Sequence, residues 1–292
     1  MSENKIESFW SKNYKWLMFI PIILLVLSFI LIGIKVAKTG DFFSKDVTLK
    51  GGIAATIYTD KIITEEEIKS ALNVDSNVKI LGDLTTGKQL GFIIEVSDLN
   101  KDNLKKILIE DLDLELTEDN FSIEETSPKL SSTFYKQLMF AVLVAFVLMG
   151  ISVFVAFRTF VPSIAVISAA LMDIVITLAV VNLIGLNIST SGIVAFLLVI
   201  GYSIDTDILL TTWSIRKKEG KLFDRMFHSM KTGLTMTLCA VSVMLIGLIF
   251  SNSIIIKEMF LIILIALIID VFSTYLTNAG ILWIYCKKRD IQ

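Results

Sequence analysis

Histidine occurs once in the 292 residues, cysteine twice and proline three times. The lone histidine, His228, lies outside residues 35–135, so neither a Ser-His-Asp triad nor a zinc-hydrolase site is expected there. Cys239 and Cys286 fall in or beside long apolar runs, and 35–135 hold no cysteine, so no disulfide staples that region. Pro21 and Pro162 fall in the first turns of apolar segments, where a missing N–H costs least. No glycine-rich loop of the Walker type is present, so no nucleotide is expected; no other cofactor and no metal is expected either.

Apolar length is what the chain has. Mean hydropathy is +0.73, and six runs stand out: Lys15–Ile34, Leu138–Phe157, Val161–Ile184, Ile188–Trp213, Thr232–Phe250 and Met259–Tyr285. Each holds roughly 20 residues or more, the length a helix needs to cross ~30 Å of hydrocarbon. The first run has a basic flank, but its core is too long for a signal peptide and no small-residue cleavage site follows, so it reads as a retained helix.

Basic residues set the orientation. Lys5, Lys12 and Lys15, then Arg216, Lys217, Lys218, Lys221 and Arg225, then Lys287, Lys288 and Arg289 all fall on one side of six spans, with Arg158 in agreement. That side is the cytoplasm, in a multi-pass plasma-membrane protein with both termini inside. The expected organisation is a cytoplasmic N-terminus (1–14), helix 1 (15–34), an extracytoplasmic domain (35–135), a five-helix membrane domain (136–286) and a cytoplasmic tail (287–292). The outer region has 12 Lys/Arg against 19 Asp/Glu, which disfavours nucleic acid as a partner and leaves lipid as the certain one.

The outer region reads as βαββαβ, a ferredoxin-like α+β domain between helices 1 and 2. DVTLKGGIAATIYTD alternates Ile53, Ala55 and Ile57 as a half-buried strand, and TEEEIKSAL opens with the capping box Thr64/Glu67. NVKILGDL and QLGFIIEVS pair through the turn TTGK. A helix with Leu104, Ile107, Leu108 and Leu112 on one face follows, then a strand in NFSIEETS. Gly51-Gly52 in the first strand signals a bulge or a close backbone approach.

Four carboxylates lie inside the runs: Asp173, Asp205, Asp207 and Asp270. Each costs at least ~2.5 kcal/mol if charged and facing lipid at mid-bilayer, so they should face the bundle interior or a watery path. Counted from the cytoplasmic ends at 1.5 Å per residue, Asp173 lies ~18 Å in, Asp205 ~12 Å and Asp270 ~22 Å, near one level. Asp205 and Asp207 point in nearly opposite directions, so only one meets a given partner squarely. A proton relay with Asp205 at its centre is one reading; a snorkelling Asp207 and a packing Asp173 is the other. Gly201, Ser203 and Thr206, with Ser189, Thr190, Ser191 and Gly192, then Thr232, Gly233, Thr235 and Thr237, serve as packing residues or relay support. Lys231 is a counter-charge or an interfacial lysine.

Four motifs, LKGGI (49–53), MDIVITL (172–178), GYSIDTD (201–207) and MKTGLTMTL (230–238), resemble the SecF branch, archaeal type, of the SecD/SecF protein-export family, related to the resistance-nodulation-division exporters. The resemblance implies a non-enzymatic subunit that assists protein export with the proton-motive force. Its partners would be a SecD-like subunit, the Sec translocation channel and exported polypeptide chains. The family's key carboxylate would fall on Asp205 or Asp207, and its assisting basic residue on Lys231. Bacterial members commonly read GYSIND, with Asn at the place of Asp205, Asp at that of Thr206 and Arg at that of Lys231; the Asp usual before Gly-Gly is Thr48 here. Half of a small-molecule or lipid exporter and a non-transporting scaffold are the rival readings.

Overall fold

A computed structural model describes residues 2–74, 76–82, 88–217, 220–251 and 253–290, and the side chains of all these but 2–6 and 254. The turn TTGK, Lys88 excepted, and Lys218 lie outside the described residues. Contacts divide the chain into two units, residues 1–44 with 140–292, and residues 45–139.

In the second unit, β1 (Gly52–Tyr58), β2 (Ser76–Gly82), β3 (Gln89–Val96) and β4 (Phe121–Thr126) form an antiparallel sheet in the order β2-β3-β1-β4. Alternation does the sorting: Ile53, Ala55 and Ile57 lie opposite Val96, Ile94 and Phe92, and all six are buried on one face. Ile68 and Leu72 of α3 (Glu65–Leu72) and Leu104 and Leu108 of α4 (Lys101–Glu110) close that core. The Thr64 hydroxyl accepts the Glu67 N–H at 3.3 Å, and Glu67 accepts the Thr64 N–H at 2.8 Å, completing the capping box. These bonds hold the Glu67 carboxyl below its ordinary range.

Two expectations change here. The strand does not begin at Asp46; residues Val47–Lys50 form a short helix, α2, whose N-cap Asp46 accepts the Thr48 N–H at 3.1 Å. Gly51-Gly52 is a close approach rather than a bulge. Both have positive φ (87° and 138°), and a Cβ would fall 2.4 Å from Pro128 Cα at Gly51 and 2.4 Å from Val96 O at Gly52.

Among the described residues of the first unit, five helices are long and apolar enough to cross a membrane: α1 (Ser2–Thr39), α5 (Pro128–Phe157, which begins in the second unit), α6 (Phe160–Ile184), α7 (Thr190–Ile215) and α8 (Leu222–Phe250). The sixth run is not one regular α-helix. It is α9 (Ile254–Phe272), a π-helical segment (Ser273–Asn278) and α10 (Ala279–Lys288) in succession. Pro21 also departs from expectation, because α1 begins well before it and places it inside the helix. A proline there cannot donate to the carbonyl one turn back. Near that weak point Thr277 of the π segment donates to Met18 O at 3.3 Å, and Gly280 lets Met18 approach to 3.2 Å of an ideal Cβ.

Candidate functional site

The interior of the first unit is built from α6, α7, α9 and the π segment. Because they are apolar nearly all round, the polar groups they do carry are conspicuous. Asp173 of α6, Asp207 of α7 and Asp270 of α9 are 0%, 0% and 1% exposed.

Hydroxyls bind the three together. Asp173 accepts Ser203 from α7 and Ser273 from the π segment. Asp270 accepts Thr206 at 3.1 Å and Thr274 at 3.1 Å. Asp207 accepts the Asn278 amide at 2.7 Å and Thr274 at 2.9 Å. Among the described residues, the hydroxyl and amide donors to these carboxylates come with no lysine, arginine or histidine. The proton count is short. Thr274 has one hydroxyl proton yet stands within bonding distance of two carboxylates. Ser273 is likewise placed between Asp173 and the Asp270 carbonyl, and Thr206 between Asp270 and the Ser203 carbonyl. Asp207 Oδ2 and Asn278 Oδ1 are buried with no hydrogen-bond partner among the described residues.

The neighbouring Asp205 is not in this cluster. It is exposed on the other side of α7, with Gly201 and Tyr202. The two-residue step from 205 to 207 turns the side chain by about 200°, which is why one aspartate is inside and the other out. Lys231 is exposed too, its ammonium 4.5 Å from the centre of the Phe227 ring. Thr232 and Thr235 are exposed and bond their own helix, to His228 O at 3.1 Å and Lys231 O at 2.9 Å. Of the anticipated relay support, the structure brings Ser203 and Thr206 to the carboxylates.

Residues 109–288 match the family model described as protein export membrane protein SecD/SecF, C-terminal. The chain belongs to the SecD/SecF protein-export family. Within it, the protein-export membrane protein SecF of Methanocaldococcus jannaschii is 36% identical over 95% of this chain and 97% of its own length. SecF of Methanolacinia petrolearia is 36% identical over 94% of each chain. The crystal structure of SecDF from Thermus thermophilus, titled a translocon-associated membrane protein, superposes with a TM-score of 0.73 at 20% identity. It aligns with 95% of this chain, which spans 38% of that longer one, and at that identity the likeness is one of fold.

Several site residues of this SecD/SecF family member escape a reading by charge alone. Ser273, Thr274 and Asn278 are the clearest, and the polar run STYLTN one turn after Asp270 was the available signal. Glu258 is another buried carboxylate, 6% exposed, in α9. It accepts the Ser189 N–H at 2.8 Å and the Ser189 hydroxyl at 3.0 Å, at the start of α7. Gly192 is built around it, since a Cβ there would fall 2.6 Å from Glu258 Oε1.

Proposed function

We propose that this chain is the SecF-like half of a plasma-membrane complex that assists protein export, and that protons passing through Asp173, Asp207 and Asp270 drive it. The observation that carries the reading is Thr274, one donor serving two buried carboxylates. Fully ionised, the cluster would hold three negative charges, and Thr274 could donate to Asp207 or to Asp270 but not to both. Each ionised carboxylate at mid-bilayer costs at least ~2.5 kcal/mol, and their mutual repulsion adds to that. A proton on Asp207 or Asp270 supplies the missing donor at Thr274 and relieves both penalties. Loading or releasing it changes which hydroxyls can donate to which oxygens. Those hydroxyls sit on α7 (Ser203, Thr206) and on the π segment (Ser273, Thr274), so the proton state is expressed as helix packing.

The chain crosses the membrane six times in this reading, α9 through α10 being the sixth span, and the basic end is cytoplasmic. Residues 35–135 are then extracytoplasmic and ferredoxin-like, which the strand order β2-β3-β1-β4 supports. There they would engage the exported polypeptide beside the Sec channel. A SecD-like subunit supplies the second half. Asp205 on α7 and Lys231 on α8 support this, because charged groups on the outer surface of a membrane bundle call for a protein neighbour.

The test is the rate at which secreted proteins leave sealed vesicles or cells, with and without a protonophore, and with copurification of the SecD-like subunit as the check on assembly. Asp207→Asn keeps shape but carries no proton, and should slow release to the protonophore-treated level. Asp205→Asn should keep its gradient sensitivity. Wild-type, gradient-sensitive release by Asp173→Asn, Asp207→Asn and Asp270→Asn alike would make the cluster structural.

A further inference from the structure

A second feature of the first unit lies where α1 and α8 face the π segment and α10. An apolar cavity of about 370 Å³ runs between α1 and α8 over the π segment. Phe9 and Leu17 line it from α1, Phe227 and Met230 from α8, and Tyr275 and Leu276 from the π segment. A cleft of about 510 Å³ is walled by neighbours of the same residues. Glu7 and Ser11 bracket Phe9 on α1, Lys221 precedes α8, and Lys287 and Asp290 close α10. The two spaces share an aromatic wall, because the rings of Phe223, in the cavity, and Trp283, in the cleft, meet edge to face at 6.4 Å.

The two spaces differ in chemistry in the way an amphiphile does. The cavity is lined by hydrocarbon and aromatic carbon, within a bundle whose surroundings are hydrocarbon. The Lys231 ammonium stands over the ring of Phe227, one of the lining residues. The cleft presents two ammonium groups, Lys221 and Lys287, and two carboxylates, Glu7 and Asp290. The Lys287 ammonium is held 4.5 Å from the centre of the Trp283 ring, on the wall next to the cavity. A group with one charge sign would meet repulsion from half of this set. A headgroup with a phosphate and an amine meets a partner for each.

We propose that this region of the chain holds one phospholipid with an amine-bearing headgroup. Its hydrocarbon chain lies in the α1–α8 cavity, its phosphate faces Lys221 and Lys287, and its amine faces Glu7 and Asp290. The site goes beyond the export reading and depends only on the helices being in a membrane. A transmembrane helix of another subunit is the alternative occupant of the groove, and the test below includes it.

The full chain, with any copurifying SecD-like subunit, is reconstituted in vesicles of equal parts phosphatidylethanolamine and phosphatidylglycerol. It is then extracted in mild detergent, and retained phospholipid is counted by native mass spectrometry. The expected result is one phospholipid per chain, with phosphatidylethanolamine enriched several-fold over the bulk ratio. Met230→Trp, which fills the cavity, should lower the retained amount, and Lys221→Glu with Lys287→Glu should erase the headgroup preference. The wild-type measurement decides without the variants. No retained phospholipid, as a helix in the groove would give, or retention in the bulk ratio overturns the proposal.

Discussion

Gly233 has no side chain, and Tyr275 uses the space. A Cβ at Gly233 would fall 1.9 Å from the Tyr275 hydroxyl oxygen and 3.2 Å from the carbon that bears it. That hydroxyl is buried without a hydrogen-bond partner among the described residues, one position after the Thr274 that links Asp207 to Asp270. Gly233→Ala should therefore act as overpacking and cost about 1–3 kcal/mol, read as a lower unfolding temperature in detergent. Tyr275→Phe removes the clashing atom, so the double variant should recover most of the loss. Simple addition of the two single effects would show that the glycine is not there for the tyrosine. A glycine amid MKTGLTMTL reads as generic close packing, because its partner is more than forty residues away in sequence. Which of Asp205 and Asp207 is buried was hidden for a related reason. Helix α7 is apolar on every side, so no polar face marks its lipid side, and a 200° difference in direction leaves no trace in the run.

At the scale of elements, the sheet unit was open to reading because period-two burial and turn chemistry are local. All four strands, both longer helices and the Thr64 cap follow from alternation and capping. The short helix α2 was not visible, since VTLK continues a β-favouring pattern and only the Asp46 cap redirects it. The π segment was hidden because widening a helix turn changes hydrogen bonding without changing composition. The glycine pair carries a direct test. Gly52→Ala combines a φ of 138° with a Cβ 2.4 Å from Val96 O, and should destabilise residues 45–139 by roughly 2 kcal/mol or more. Gly82→Ala meets only Lys88 O at 3.8 Å and should stay within ~0.5 kcal/mol. Urea-dependent proteolysis of this unit reads both, and equal behaviour would refute the strain argument.

A buried charge group in the same unit makes its stability depend on pH. Burial, then the neighbouring Glu95 carboxylate, pushes the Asp46 carboxyl above its ordinary 3.8, against a smaller opposing pull from Lys79 3.8 Å away. The folded unit then binds a proton that the unfolded chain gives up. The stabilisation this brings is complete below 3.8 and lost as pH rises through the raised value. Asp46→Asn keeps an acceptor for the Thr48 N–H but needs no proton. Its unfolding midpoint should equal or exceed wild type at pH 7, and that margin should shrink towards pH 4. A margin that grows on acidification would mean that the Lys79 attraction outweighs burial.

For the whole molecule, the two cysteines report on whether this chain stands alone in the bilayer. Cys286 is fully buried in α10, whereas Cys239 is exposed on α8, the helix that also turns Lys231, Thr232 and Thr235 outward. In water an exposed thiol would mean little. On the outer face of a membrane helix that also carries the Lys231 charge, it lies where a second protein half would shield that charge from lipid. After extraction in mild detergent, a maleimide should label Cys239 and spare Cys286 when the chain is expressed by itself. Co-expression of the SecD-like subunit should protect Cys239, and Asp205→Leu should weaken copurification while leaving Cys286 unlabelled, which shows that the bundle is intact. The assignment of this face rests on polar groups turned outward from two helices. If Cys239 reacts equally with and without the SecD-like subunit, while the two copurify, the partner binds elsewhere and Asp205 faces lipid or a watery path of its own.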